Sequence, residues 1–441
     1  MNQADKVPRK SLKRVVTGPM LLLFILGDVL GAGVYALAGT IAGEVGGAIW
    51  IPLLIALFFA LLTAGSYAEL VTKYPHAGAA SVFASKAFKS PLVSFLVGFC
   101  MLAAGVTSAA GLSLAFAGDY LSALVDVHPQ IAALLFLVVI GLLNARGIKE
   151  SLSANIVMTL IELTGLMLVV LAAAWFFSTG EADVSRAMEF KAGISPAAAV
   201  LGAALLAFYS FVGFETSANL AEEIRDVSKT YPRALFGALL LAGAVYVAVG
   251  VAAASVLSVD QLTASSAPLL EVVKISGLGI PPLLFAFIAL IAVANGALLT
   301  MIMASRLTYG MARQGLLPDV LGHVLHERRT PWVAIIATTL VAAALTLTGS
   351  LAILAQTVVL LLLFVFISAN LAVLVLRKDE VPHDHFRVPT WVPVLAIASC
   401  VLLMTQQNAE TWLRAGALLL VGVVLYGVTR FGPARTEPAQ L

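Results

Sequence analysis

From Gly18 to Phe431 the chain is a succession of apolar runs separated by short, charged connections. Each run is close to the twenty or so residues that an α-helix needs to cross a bilayer. Hydrocarbon offers the backbone no hydrogen-bond partners, so segments of this kind fold as helices or not at all. The runs place twelve spans at about 18–42, 47–72, 92–117, 129–145, 153–177, 196–220, 232–257, 280–305, 332–349, 351–376, 391–407 and 412–430. The ninth and tenth are separated only by "TGS" (348–350). With 61% hydrophobic and 11% charged residues there is too little polar surface for a soluble protein of 441 residues. The expected class is an all-α polytopic membrane protein with twelve transmembrane helices.

Charge placement orients the trace. With both termini cytoplasmic, all 26 Lys and Arg residues except Arg186, Lys191, Lys274 and Arg414 fall on the cytoplasmic side. This is the positive-inside asymmetry, and one missed or extra span would invert the later loops. The first seventeen residues are basic and polar, and the run after them is too long for a signal-peptide core. Cys100 and Cys400 lie in apolar runs and read as buried thiols rather than a disulfide framework. No H-E-x-x-H, Walker A sequence or mid-span histidine is present, so an intramembrane enzyme or an ATP-driven pump is not expected.

Two runs have backbone-breaking centres. The first contains "LGDVLGAGVY" (26–35) and the sixth "FYSFVGFETSANLAEE" (208–223). Irregular backbone at membrane depth persists only when it is buried in protein or lines a wet cavity. A helix that restarts after a break presents free N–H groups and a positive dipole end, which suit a carboxylate. The carbonyls that end the preceding half suit an ammonium group. Two such breaks facing each other make a site for a zwitterion. They fall at the same place in two successive five-span units, the pattern of an inverted-repeat transporter with a midplane site. The competing reading is that these glycines only pack helices.

The chain resembles the amino acid–polyamine–organocation (APC) transporter superfamily. The resemblance rests on "LGAGVY" (30–35), "SYAELVTKYPHAGAAS" (66–81), "LNARGIKES" (143–151), "FYSFVGFETSANLAEEIRDVSKTYPRAL" (208–235), "SRLTYGMARQGLLP" (305–318), "RRTPW" (328–332) and "FRVPTWVPVL" (386–395), met in order along nearly the whole chain. It implies a five-plus-five inverted repeat of the LeuT type with two further C-terminal helices, working by alternating access. The expected division is a cytoplasmic tail at 1–17, repeats at 18–177 and 196–376, the extra helices at 391–430 and a cytoplasmic tail at 431–441. By resemblance, the backbone amides of Gly31, Ala32 and Gly33 bind the substrate carboxylate. Carbonyls near Phe208 and Phe211 bind the amine, and Tyr209 closes over the substrate.

Asp28, Glu162 and Glu215 are the candidates for coupling, because an ionisable group at membrane depth is a functional hypothesis by default. Withdrawal from water disfavours the charged form of a carboxyl group, so each can be asked to carry a proton. Some relatives place a lysine in the stretch that holds Glu162. An acid here leaves three roles open: a proton-binding group, a neighbour of a sodium site, or a hydrogen-bonded structural acid. Asp28 lies one turn before the break, where it can titrate, pair with Glu162 through a shared proton, bind a cationic group or hold the unwound segment. Glu215 follows Gly213 and is expected to steady the sixth break and relay protons. Asn295, in "IAVANGALLT" (291–300), faces either the substrate or another helix, and Thr300 is a weaker candidate that can bond its own helix. Glu69, Glu222 and Glu223 are expected to pair at cytoplasmic helix ends with Lys73, Arg225 and Arg233. The six histidines lie in connections, and "HDH" (383–385) reads as solvated loop rather than a metal site.

The function expected is secondary active transport of amino acids across the cell (inner) membrane. A proton is the coupling ion expected and sodium is the alternative; neither an organic cofactor nor a bound metal is expected. Exchange of cationic amino acids or polyamines is the other transport reading, and an amino acid sensor without net transport is the reading from another class. The expected partners are an amino acid or amine and the lipid bilayer, not nucleic acid, with the chain a monomer or homodimer.

Overall fold

The apolar runs fold as helices where the sequence places them. The structure, a computed structural model, describes residues 14–31, 33–75, 79–146, 151–325 and 330–431. Ala32 and most of both expected tails lie outside the described residues. The first run forms α1 (Gly18–Leu30) and α2 (Gly33–Val45). There follow α3 (Trp50–Lys73), α4 (Ala79–Phe88), α5 (Pro91–Phe116), α6 (Asp119–Ser122), α7 (Pro129–Arg146) and α8 (Ser151–Ser178). The sixth run forms α9 (Pro196–Tyr209) and a 3-10 helix, Phe214–Glu223. The rest is α10 (Val227–Val256), α11 (Val259–Ala264), α12 (Pro268–Ile275), α13 (Pro282–Arg313), α14 (Trp332–Thr346), α15 (Leu351–Leu376), α16 (Trp391–Thr405) and α17 (Ala409–Phe431).

Ten segments among the described residues are long and apolar enough to cross a membrane. The ninth and eleventh predicted spans, α14 and α16, have 15 residues each. At 1.5 Å per residue each is about 22 Å long, shorter than the ~30 Å hydrocarbon layer. The outward faces of α7, α14 and α17 carry exposed Leu142, Leu340 and Leu413, as a surface bathed in lipid requires. The chain is a multi-pass, all-α membrane protein.

The connection between α10 and α13 is folded rather than plain loop. Ser258 and Gln261 close a reciprocal capping box at the start of α11. α11 packs on α2, and α12 packs on α8.

Helix packing follows a paired scheme. α1 packs on α10 as α9 packs on α3, and α1 meets α8 as α9 meets α15. α5 packs on α15 as α13 packs on α8, and α5 meets α14 as α13 meets α7. Exchanging the first five predicted spans with the next five maps each of these contacts onto its counterpart. The broken helices lie inside this scheme, so their backbone is buried in protein and not exposed to lipid.

Candidate functional site

Both breaks are present. α1 stops at Leu30, Gly31 has φ +23°, and the helix resumes at Gly33. α9 stops at Tyr209, and Gly213 has φ +123°, a left-handed value that favours a residue without Cβ. The chain then continues as a tighter 3-10 helix, where sequence reading expected an α-helix to restart.

The two breaks touch, backbone to backbone. A Cβ at Gly33 would lie 2.6 Å from Ser210 Cα, and one at Gly213 would lie 2.8 Å from the carbonyl oxygen of Asp28. Polar groups tie them further. The Thr216 hydroxyl donates to Asp28 Oδ2, and it also faces the Gly213 carbonyl at 2.8 Å. The Gly213 N–H donates to Glu215 Oε2 at 2.9 Å. Tyr246, on α10, points its hydroxyl at three carbonyls: Val29 at 2.7 Å, Leu30 at 2.8 Å and Ser210 at 3.1 Å. The first two end α1 and the third lies in the sixth break, so one side chain holds both.

A cavity of about 50 Å³ opens at this junction. Asp28, Gly31, Gly33, Gly213, Glu215 and Thr216 line it from the breaks. The opposite wall is apolar: Met101 and Leu112 of α5, Met303 of α13, and Val358 and Leu362 of α15. Tyr209 also lines it, and its hydroxyl shares a 3.0 Å hydrogen bond with Ser108 of α5. The cavity thus has a polar, backbone-rich side and an aliphatic side, the lining of a site for a small amphiphilic solute.

A family model described as amino acid permease matches residues 19–425. The chain belongs to the amino acid permease family. This permease is 27% identical to the branched-chain amino acid permease of Bacillus subtilis over 440 residues, covering 95% of this chain and 93% of that one. It is 26% identical to the methylthioribose transporter of the same organism, with the same coverage. It is 31% identical over 409 residues to the vacuolar cationic amino acid transporter 2 of Arabidopsis thaliana, covering 86% of this chain and 62% of that one. These relatives place the permease in the superfamily that its motifs resemble.

The structure brings Asp28, Gly31, Gly33, Tyr209 and Glu215 to the cavity, while Ala32 lies outside the described residues. Phe208 and Phe211 are not on the lining. Phe208 packs on Phe366 and Phe211 on Tyr246, and the Phe208 carbonyl accepts from the Phe211 N–H at 3.0 Å. Of the two placements open to Asn295, the substrate wall or another helix, the structure takes the second. Gly296 and Thr300, four residues apart on one face of α13, line the cavity, whereas Asn295 turns to α8, where Asn155 Nδ2 donates to its Oδ1 at 3.4 Å. Glu162 is fully buried on α8, off the cavity lining, and neither carboxyl oxygen has a hydrogen-bond partner. Asp28, Tyr35 and Tyr246 are its titratable neighbours.

Glu69 does not pair with Lys73. It is clasped by Arg377, which follows α15: Nε donates to Oε1 at 3.1 Å and Nη2 to Oε2 at 3.0 Å. Lys73 instead donates to the Leu376 carbonyl at 2.6 Å. Residues 383–385 form a loop in which His383 and Asp384 are exposed, as expected, and His383 Nε2 lies 3.1 Å from the Thr72 carbonyl near the end of α3. Sequence reasoning missed Thr216, Tyr246, Ser108 and Asn155. Their signal is weak: each is a polar group in or beside an apolar run, which implies a partner without naming it.

Proposed function

We propose that the protein is a secondary active transporter of neutral amino acids, coupled to protons and working by alternating access. The observation that carries this reading is the buried meeting of two broken helices around a cavity. Gly31 and Gly33 line that cavity at the restart of the first helix, where backbone amides and the dipole favour a carboxylate. Its modest volume and the wall of Met101, Leu112, Met303, Val358 and Leu362 favour a small substrate with an aliphatic or thioether side chain. Membership of the amino acid permease family supports the same class.

The paired helix contacts support a five-plus-five repeat. Five is odd, so the second unit enters the membrane from the opposite side, and the repeat is inverted. Rocking one bundle against the other around the fixed cavity is the alternating-access motion such a repeat supports. Both termini then face the cytoplasm, the side that collects the positive charge. Asp28, Glu162 and Glu215 are the proton-coupling groups in this reading, and sodium is the alternative ion.

A second reading, exchange of cationic amino acids, draws support from the two carboxyl groups on the cavity lining and from the cationic amino acid transporter relative. Against it, Glu215 is engaged by the Gly213 N–H and Asp28 by Thr216, so neither is an unengaged partner for a cationic side chain.

The test is uptake into proteoliposomes with an inward proton gradient, using labelled leucine, valine, methionine, alanine, lysine and arginine. Accumulation of the neutral set, abolished by a protonophore, is the expected result. Preferential lysine–arginine exchange would overturn the substrate class. Accumulation that needs sodium would overturn the proton, and binding without counterflow would make the protein a sensor.

A further inference from the structure

Behind α1, away from the substrate cavity, α8 presents a polar stripe. Asn155, Thr159 and Glu162 are spaced by four and three residues and therefore share one face. All three are buried. Asn295 of α13 adjoins the stripe, and α1 comes close at Gly27, where an added Cβ would collide with the Thr159 hydroxyl and lie 3.1 Å from Asn155 Nδ2. Four polar atoms here have no partner: Asn155 Oδ1, Asn295 Nδ2 and both oxygens of Glu162. Buried polar atoms are hydrogen-bonded in nearly every native protein, through ordered water where protein partners are lacking.

The chemistry of the set selects the ligand. The two amides make one bond between them. Whichever way they are turned to make it, one unpartnered NH2 group and one unpartnered carbonyl oxygen remain. A bare cation satisfies acceptors only, whereas water satisfies both kinds. The Thr159 hydroxyl gives its hydrogen to the main-chain carbonyl of Asn155 at 2.7 Å, so its oxygen is left as an acceptor. Glu162 and Asn155 are seven residues apart, about 10 Å along the helix axis, a distance that a single water cannot bridge.

The geometry points to a short file of buried water running along α8 from Glu162 past Thr159 to the Asn155–Asn295 pair, which carries the coupling proton by a route separate from the substrate cavity. The inference rests on the proton-coupled reading above and deepens it. A water beside Glu162 accepts its proton, and each water hands one to the next and is left unchanged. The last, at the Asn155–Asn295 pair, releases a proton to cytoplasmic water, and the Glu162 carboxylate regains a proton from the extracellular side in the next cycle. The titratable groups around Glu162 are Asp28 from α1, Tyr35 from α2 and Tyr246 from α10. Tyr35 donates its hydroxyl to the Glu162 main-chain carbonyl at 2.8 Å. The stripe heads toward the start of α8, the cytoplasmic end in the proposed orientation.

The test separates proton release from substrate movement. Counterflow of a labelled amino acid exchanges loaded carriers and needs no net proton release, whereas accumulation does. Full-length Asn155→Leu is reconstituted and assayed with labelled leucine, or with the panel member that the wild type carries. Substrate-driven proton entry and net uptake are expected to fall about a hundredfold, with counterflow within about twofold of wild type; a hundredfold is the low end of what positioned proton-transfer groups supply. Asn155→Ser, which keeps a donor and an acceptor, is expected to restore most of the proton flux. If N155L does not give folded protein, Asn295→Leu serves and is expected to show the same split. Net uptake and counterflow falling together, or neither changing, would overturn the relay. Wild-type vesicles with no substrate-driven proton entry would instead overturn the functional reading and the relay with it.

Discussion

Thr216, three residues past the turn of the sixth run, is hydrogen-bonded to Asp28, one turn before the break in the first, across 188 residues of chain. The same hydroxyl faces the Gly213 carbonyl. One hydroxyl hydrogen cannot serve two acceptors fully, so a proton on Asp28 would complete the set. Asp28→Asn supplies an N–H in place of that proton. D28N is therefore expected to keep substrate affinity within about threefold while losing pH dependence if Asp28 titrates during transport. Thr216→Val removes the tie and is expected to weaken binding about tenfold, a cost near 1.4 kcal/mol. Binding isotherms at two pH values check both, and D28N weaker than T216V would contradict the assignment.

Tyr246 is the residue on which both breaks converge. Its hydroxyl has one hydrogen and three carbonyls within reach, and its ring packs on Phe211 at 5.3 Å. Tyr246→Phe keeps the ring and deprives buried helix-end carbonyls of their donor, a loss of about 1–3 kcal/mol. Lower thermal stability in detergent and a higher KM for uptake are expected together. Unchanged stability would mean that other donors already satisfy these carbonyls.

What was legible in the sequence was local. Apolar runs declare membrane helices because hydrocarbon permits little else. The breaks are legible at Gly31, Gly33 and Gly213, since glycine and acids in such runs need a reason. Side-chain direction was less legible: Asn295 and Gly296 are neighbours in sequence yet face different sites, because each helical step turns about 100°. Partnerships across the fold were not legible. Nothing in "AVYVAVG" (244–250) says that Tyr246 reaches carbonyls of two other segments, and nothing near Glu69 points to Arg377, 308 residues on. Such pairs are created by helix packing, which one sequence without its relatives does not encode locally.

Gly33 carries a packing demand as well as a proposed binding role. A Cβ there meets Ser210 Cα at 2.6 Å, and main chain cannot move aside as a flexible side chain can. Gly33→Ala is expected to lower the yield of monodisperse protein and to weaken substrate binding. Ser210→Gly should not fully rescue it, because it removes the Cβ and Oγ that lie at 2.8 Å but leaves Cα at 2.6 Å. Full rescue by S210G in a size-exclusion and binding assay would show that the Ser210 side chain is what matters.

His385 gives a pH signature outside the membrane spans. Burial, and then the charge of Lys73, hold its imidazole below the ordinary value of 6.5. Between that depressed value and 6.5 the unfolded chain binds more protons than the folded one. Stability therefore rises with pH through this window, and the contribution is complete above it. His385→Asn is expected to flatten the rise in melting temperature between about pH 5 and about pH 7. An unchanged slope would assign the effect to other groups.

The most buried ion pair among the described residues is the clasp between Glu69 and Arg377. The side chains are 2% and 11% exposed, and the pair is bidentate. Arg377 also donates to the Val388 carbonyl at 2.6 Å, and the Val388 N–H donates to Glu69 at 3.0 Å. The pair thus binds the ends of α3 and α15 to the stretch of chain leading into α16. Removing one partner leaves a buried charge uncompensated, at a cost of about 3–5 kcal/mol. Arg377→Met is expected to destabilise the protein by that order. Glu69→Gln with Arg377→Met should recover part of the loss, because no lone charge remains and the substituted amide's oxygen still accepts from the Val388 N–H. A double-mutant cycle on unfolding midpoints measures the coupling. Additive losses would show that the two side chains contribute separately and that the clasp does not join the helix ends.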